Sequence, residues 1–390
     1  MTSQAEAPRP SLWKIALAFA RVGTVGFGGG LGMLALLRQE VVERRKWITD
    51  RQLGVAVALA QMLPGPFISN YANYVGYELR GLRGMAVAVA SLLAPSFVIM
   101  CVLSFLYFRF GSVPLVSRMF SGVQPVVVAI MVWATWYIGE ANVKGWRAAL
   151  IAALAFGALM LRVDVVVVVL AAGVAGALLS FSPGRPGKGK TVSGLGSFAP
   201  LPLWLALGSQ IVVVVPTVWS RARDLLAVFL KVGALLFGGG FASIPFLQQE
   251  VVQVRHWLTM REFIDGVALG QMTPGPVAIT ATFVGYKVLG LAGALIATVA
   301  VFLPSFFLLL GLIHVHRRVE KNPLVTGFLS GVLPAVTGVL LPAAIFMGRA
   351  AITGPVPALV ALIAVLLLFR FRLDPIWLVL GGALFGFLLR

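Results

Sequence analysis

The residues of this chain best suited to chemistry are glycines, prolines and a few polar side chains close to them. Phe27-Gly28-Gly29-Gly30 interrupts the first apolar stretch, and Gln61-Met62-Leu63-Pro64-Gly65-Pro66 interrupts the second. Glycine costs backbone entropy in a helix, while proline lacks a donor and clashes with the preceding turn, so both clusters should break helices. A half-helix beginning in an apolar medium points unpaired N–H groups and the positive end of its dipole at whatever lies ahead. That geometry suits an anion. Arg21 and Lys231 each precede a glycine by two residues and are the candidate cations of the site. A base inside a bilayer faces a cavity or a partner, unless it snorkels to a headgroup. Gln61, Asn70 and Asn73 flank the Pro-Gly-Pro break, where amides can orient a ligand or satisfy freed backbone. Glu40 closes the first helix as a proton carrier, a partner for nearby bases or, the reading preferred here, a solvated loop acid.

Nearly all of this occurs twice. The Phe-Gly-Gly-Gly cluster returns 210 residues later as Phe237-Gly238-Gly239-Gly240, and Pro64-Gly65-Pro66 returns as Pro274-Gly275-Pro276. Gln61 returns as Gln271 and Glu40 as Glu250, while Thr280 and Thr282 stand where the first copy has its asparagines. Pro95-Ser96 recurs as Pro304-Ser305, with hydroxyls expected to rescue carbonyls freed by the prolines. So many ordered matches define a tandem duplication. The first repeat covers 12–181 and the second 222–390. A Gly, Pro, Ser and Lys-rich linker at 182–221 separates them and includes an apolar segment, 201–219.

The elements that carry these motifs belong in a membrane. Hydrophobic types make up 59% of the chain, charged types 11%, and mean hydropathy is +0.97. Thirty-one Lys and Arg face 13 Asp and Glu, but the bases sit in short loops between apolar runs. There they orient helices and meet anionic lipid, so no nucleic-acid partner is implied. Gly184-Arg185-Pro186-Gly187-Lys188-Gly189-Lys190-Thr191 fits a Walker A pattern, yet it lacks the strand and helix that make a P-loop work, so ATP binding is rejected. His256, His314 and His316 form no metal-ligand set, no cofactor motif appears, and no nucleophile elbow or paired catalytic carboxylates suggest an enzyme. The expected fold is an all-α integral membrane protein of two helical halves, with about 10–13 membrane segments, some broken or re-entrant.

Charge sets the orientation. If 53–79 is a re-entrant hairpin and the first helix crosses, the loop bases around Arg38–Arg51 share a face with Arg80, Arg83, Lys144 and Arg147. In the second half the bias falls on the other face, so the halves are expected to be inverted repeats. A fully spanning 53–79 segment also yields antiparallel halves if 201–219 spans.

At Val25-Gly26-Phe27-Gly28-Gly29-Gly30, at Gln61–Pro66 and at their second-half partners, the chain resembles the chromate ion transporter (CHR) family in its long, two-domain form. The resemblance extends over nearly the whole chain. It implies a secondary transporter of the bacterial inner membrane that exports chromate and confers resistance, with sulfate as the natural mimic. Uptake or exchange of sulfate is the main rival, and a membrane-embedded enzyme a weaker one. A homodimer is compatible with either. One departure is Met62-Leu63 in the first copy against Met272-Thr273 in the second.

Overall fold

A computed structural model describes residues 10–26, 29–180, 218–313, 322–371 and 373–388. Gly28, the Walker-like Gly184–Thr191, the apolar segment through 217 and both His314 and His316 lie outside them. The described residues form helices and connections, with no β-strand among them.

The first half contains α1 (Leu12–Val25), α2 (Gly29–Arg38), α3 (Asp50–Met62), α4 (Phe67–Phe110), α5 (Pro114–Asn142), α6 (Gly145–Met160) and α7 (Val165–Ser180). The second contains α8 (Val218–Leu235), α9 (Ser243–Leu247), α10 (Met260–Met272), α11 (Thr280–Ile313), α12 (Pro323–Ala351), α13 (Pro355–Phe371) and α14 (Pro375–Leu388). A π-helical turn follows both α2, at Gln39–Arg44, and α9, at Gln248–Val254.

Two of these helices reverse direction inside their span. In α4 the backbone leaves helical geometry at Arg80 and Gly81, and in α11 at Leu289 and Gly290, where both glycines adopt φ +59°. The reversal packs glycine on glycine. A Cβ on Gly76 would lie 2.5 Å from the Gly84 carbonyl, and one on Gly285 would lie 2.2 Å from that of Gly293. In an unbroken helix residues eight apart would stand about 12 Å away from each other. A short arm, 67–79, is therefore folded against a long apolar arm, 82–110.

The ends of α3 and the 67–79 arm meet, since Gln52 Nε2 donates to Glu78 Oε2 at 3.4 Å. In the second half Lys287 and Glu262 close the same pair of ends at 2.7 Å. Each Pro-Gly-Pro motif is thus the tip of a re-entrant hairpin. Capping boxes at Thr49 with Gln52 and at Thr259 with Glu262 fix where these hairpins begin.

The first helix behaves differently from the crossing helix that charge counting suggests. Arg80 Nε donates to the Pro10 carbonyl at 2.8 Å, so α1 enters from the face where α4 turns. At the other end of the hairpin, Arg38 Nε reaches Asp50 Oδ1 at 2.7 Å, which brings α2 back to that face. Arg21 and Glu40 lie 3.9 Å apart, whereas a straight helix would separate them by about 28 Å. The glycine break turns the chain round instead of merely interrupting it. In the second half Lys231–Glu250 at 2.6 Å and Arg255–Asp224 at 3.4 Å close the equivalent hairpin.

The halves are inverted. Gly139 of α5 faces Thr337 of α12, and Gly348 of α12 faces Val128 of α5. Equivalent helices therefore run antiparallel past one another, and hairpins of the two halves enter from opposite faces. The last pair of helices of each half crosses over. Gly176 of α7 packs on Gly327 and Gly331 of α12, while Gly122 of α5 packs on Gly382 and Gly386 of α14. Small residues let backbones approach this closely where lipid removes the usual hydrophobic drive. Among the described residues four helices are long and apolar enough to cross a bilayer, and Trp13, Trp136, Trp146 and Trp377 lie exposed on the outside.

Candidate functional site

Hairpin tips from the two halves meet in the interior. The Gly65 N–H donates to the Leu236 carbonyl at 2.7 Å, and the Gly275 N–H donates to the Gly26 carbonyl at 2.8 Å. Each Pro-Gly-Pro tip is thereby bonded to the glycine tip of the other half. Gly65 and Gly275 share φ +115°, a region closed to most side chains, and neither has room for one. A Cβ on Gly65 would lie 2.5 Å from Ser305 Cβ, and one on Gly275 would lie 2.2 Å from Ser96 Oγ. Ser96 stands midway along its apolar arm, so the tips sit near mid-span.

The half-helix that follows Pro66 opens with the N–H groups of Phe67 and Ile68, which have no acceptor within the helix. The Phe67 ring approaches Gly239, and Val277, first residue after the second Pro-Gly-Pro, approaches Gly240. Gly238 and Gly239 hold φ +88° and +95°, and Gly29 and Gly30 open α2. The second glycine cluster and both proline turns therefore converge, with Gly26 marking where the first-half glycine tip joins them.

Amides surround this junction. Asn70 and Asn73 are buried, and neither side-chain oxygen has a partner. Asn70 Nδ2 makes a long bond, 3.4 Å, to the Pro64 carbonyl. The Gln271 Nε2 is likewise buried and unpartnered, whereas Gln61 is exposed. Buried amide atoms are seldom left unpaired, and a half-turn of an asparagine amide exchanges its acceptor for a donor. In the second half the threonines are satisfied. Thr280 Oγ1 donates to the Val277 carbonyl at 2.9 Å, and the Thr282 and Thr298 hydroxyls share a bond of 2.7 Å.

The charged candidates lie away from the tips and pair with each other. Glu40 and Glu250, expected as solvated loop acids, are buried because the π-helical turns direct them inward. Glu40 is held by Arg45 at 2.6 Å and Arg44 at 3.4 Å, with Arg21 further off. Among the described residues Glu250 is held by Lys231 alone, which also stands 3.9 Å from Asp164. The Arg21 side chain is 59% exposed and that of Lys231 24%. Ser96 also departs from expectation: Ser305 Oγ bonds its own helix at Phe302, but Ser96 Oγ donates to the Pro274 carbonyl across the halves at 2.6 Å.

Sequence reasoning passed over Asp265. This carboxylate is 5% exposed and accepts from Tyr107 Oη at 2.8 Å and Gln124 Nε2 at 2.9 Å. The signal was present: a single acid within an apolar run, facing Val55 at the same position of the first copy.

Inverted halves, re-entrant hairpins meeting at their tips and a belt of outward apolar side chains define a multi-pass membrane protein of the transporter type. The chain belongs to the chromate transporter family, whose sequence model matches residues 13–177 and 223–387. The chain is 33% identical to a chromate transport protein of Cupriavidus metallidurans, over 97% of this chain and 94% of that one. It is 30% identical to a probable chromate transport protein of Synechococcus elongatus, over 92% and 90%. It is also 30% identical to an uncharacterized transporter of Methanocaldococcus jannaschii, over 97% and 95%. No solved structure matches the chain.

Proposed function

We propose that this protein is a secondary transporter that exports chromate across the bacterial inner membrane and thereby confers chromate resistance. The observation carrying the proposal is the reciprocal seating of each Pro-Gly-Pro tip on the other half's glycine tip, beside buried amides with unpartnered atoms. The anion lies at this junction, taken up by the half-helix N–H groups after Pro66 and Pro276 and by the amides of Asn70, Asn73 and Gln271. The Gly65 and Gly275 N–H groups already have acceptors, so their part is to hold the tips together. Arg21 and Lys231, neutralised by Glu40 and Glu250, supply the basic approach on either side.

Export needs no ATP. An anion leaving an inside-negative cell gains about 2.3 kcal/mol per charge per 100 mV. Transport moves chromate unaltered, in keeping with family relatives named as chromate transport proteins.

Purified protein in liposomes tests this with radiolabelled chromate under a potassium-diffusion potential. Flux of unaltered chromate that quickens with voltage, and that sulfate competes for, is the expected result. Conversion of chromate without flux would end the transport reading. Rescue of growth on limiting sulfate, with no fall in cellular chromium, would replace export by sulfate uptake.

A further inference from the structure

The buried carboxylate in the second half has no part in holding an anion, and its setting suits a different cargo. Asp265 lies one turn and a half into α10, and its two oxygens accept from α4 through Tyr107 and from α5 through Gln124. Beside it opens a chamber of about 270 Å³, lined by Ser117, Ser121, Gln124, Arg261 and Thr353. Gly111, at the far end of α4, and Thr353, just beyond α12, place the mouth on the face opposite Arg80. Water therefore has a route to a carboxylate that is otherwise enclosed by apolar side chains.

The charges around Asp265 are few. Its own helix contributes Arg261 and Glu262, and α4 contributes Tyr107. From α5 come only Gln124 and the two serines, and α14 carries no titratable side chain. On the α11 side Lys287 is engaged by Glu262. Among the described residues no second carboxylate lines the chamber, so a metal ion would find one acid and a base there, which is a poor ligand set. An oxyanion would meet the same carboxylate as a like charge. A proton is the one common ion for which a single enclosed carboxylate is a complete site.

The position is also connected to the anion junction. Helix α10 runs from Asp265 to the Pro274–Pro276 turn, whose glycine bonds Gly26 and whose first carbonyl accepts from Ser96. Protonation converts the carboxylate from a double acceptor into a group with one donor, so the bonds holding α10 to α4 and α5 must rearrange. Val55 occupies the equivalent place in the first half, so that position carries no counterpart carboxylate.

We infer that Asp265 is the proton-binding residue of the transporter, loaded from one face through the chamber, and that anion movement is coupled to it. The proton passes from water in the chamber to a carboxylate oxygen and returns by the same path or toward the junction. This inference rests on the transport reading above, so the test separates the two. Chromate flux is measured in proteoliposomes clamped at zero voltage, with and without an imposed pH difference, while a trapped dye follows protons.

The native protein should show proton movement with chromate, and a one-unit pH difference should change chromate accumulation by about tenfold for one proton per anion. Asp265→Asn should reduce that ratio to one and abolish the dye signal, whatever its absolute rate, while Asp265→Glu should restore both. Tyr107→Phe removes a donor to the ionised form and should shift the midpoint of the pH profile upward; it serves if Asp265→Asn fails to fold. Native flux that ignores the pH difference, or a ratio that persists in Asp265→Asn, or an unmoved midpoint in Tyr107→Phe, would overturn the proton site while leaving chromate transport standing. Absence of any native chromate flux would instead sink the transport reading.

Discussion

In the first half, the arm leaving the Pro-Gly-Pro turn carries Asn70 and Asn73, whose oxygens are buried without partners; in the second, Thr280 and Thr282 sit in similar places and are fully bonded. The two Pro-Gly-Pro turns share φ +115° at their central glycines, although a 3-10 turn at Val277–Ile279 precedes α11 where α4 starts directly at Phe67. Duplication has therefore kept the geometry and released the side chains. The first half retains polar capacity for a ligand, while the second has closed its hydroxyls on themselves and gained a buried acid at Asp265. An inverted pair with identical side chains would work alike from both faces; this pair need not.

The sharpest attack on the shared frame is a side chain at either central glycine. Gly65→Val and Gly275→Val should each reduce chromate flux in proteoliposomes to background, because φ is closed to valine and the Cβ collides with Ser305 or Ser96. Survival of either variant would mean that the halves are not joined at both tips.

Next comes the pairing of charges. Lys231→Gln leaves Glu250 buried with no other close base among the described residues, and thermal unfolding in detergent should show a loss of ~3–5 kcal/mol. Arg21→Gln should cost under ~0.5 kcal/mol, since the exposed Arg21 leaves Glu40 with Arg44 and Arg45. Equal losses would erase the difference drawn here.

A smaller effect separates the tip arms. Asn73→Leu should raise the KM for chromate about tenfold, the worth of one hydrogen bond to a charged ligand. Thr282→Val should leave KM unchanged and lower stability by ~1 kcal/mol through loss of its bond to Thr298. The smallest is at the serines. Ser96→Ala should cost ~1 kcal/mol by stripping a donor from the Pro274 carbonyl, and Ser305→Ala less, because Ser305 bonds only within its own helix.

Much of this was legible in the sequence. Repeated Phe-Gly-Gly-Gly and Pro-Gly-Pro clusters announced two copies and two kinds of helix break, because glycine and proline act locally whatever surrounds them. The inversion could be read from loop bases, although the first segment was misjudged as a crossing. A glycine cluster shows that a helix stops, but whether the chain continues or turns back depends on contacts such as Arg80 with the Pro10 carbonyl, made by residues distant in sequence. The burial of Glu40 and Glu250 was hidden for a related reason. A π-helical turn rotates the side chains that follow it, and no composition rule marks where one forms. Asp265 escapes a motif-based reading because motifs mark what the copies share, and its meaning lies in what they do not.

The crossed packing of the terminal helix pairs has a consequence for biosynthesis. Helices α6 and α7 rest on α12, which leaves the ribosome roughly 150 residues later, so at about 5–20 residues per second they wait on the order of ten seconds or more for their partner. Until then an apolar helical pair with glycine-lined flanks stands unclasped in the membrane. Truncation before α12 would leave that pair permanently open, a ready target for membrane proteases, so a half-length product of this chain should be cleared from the cell and not accumulate.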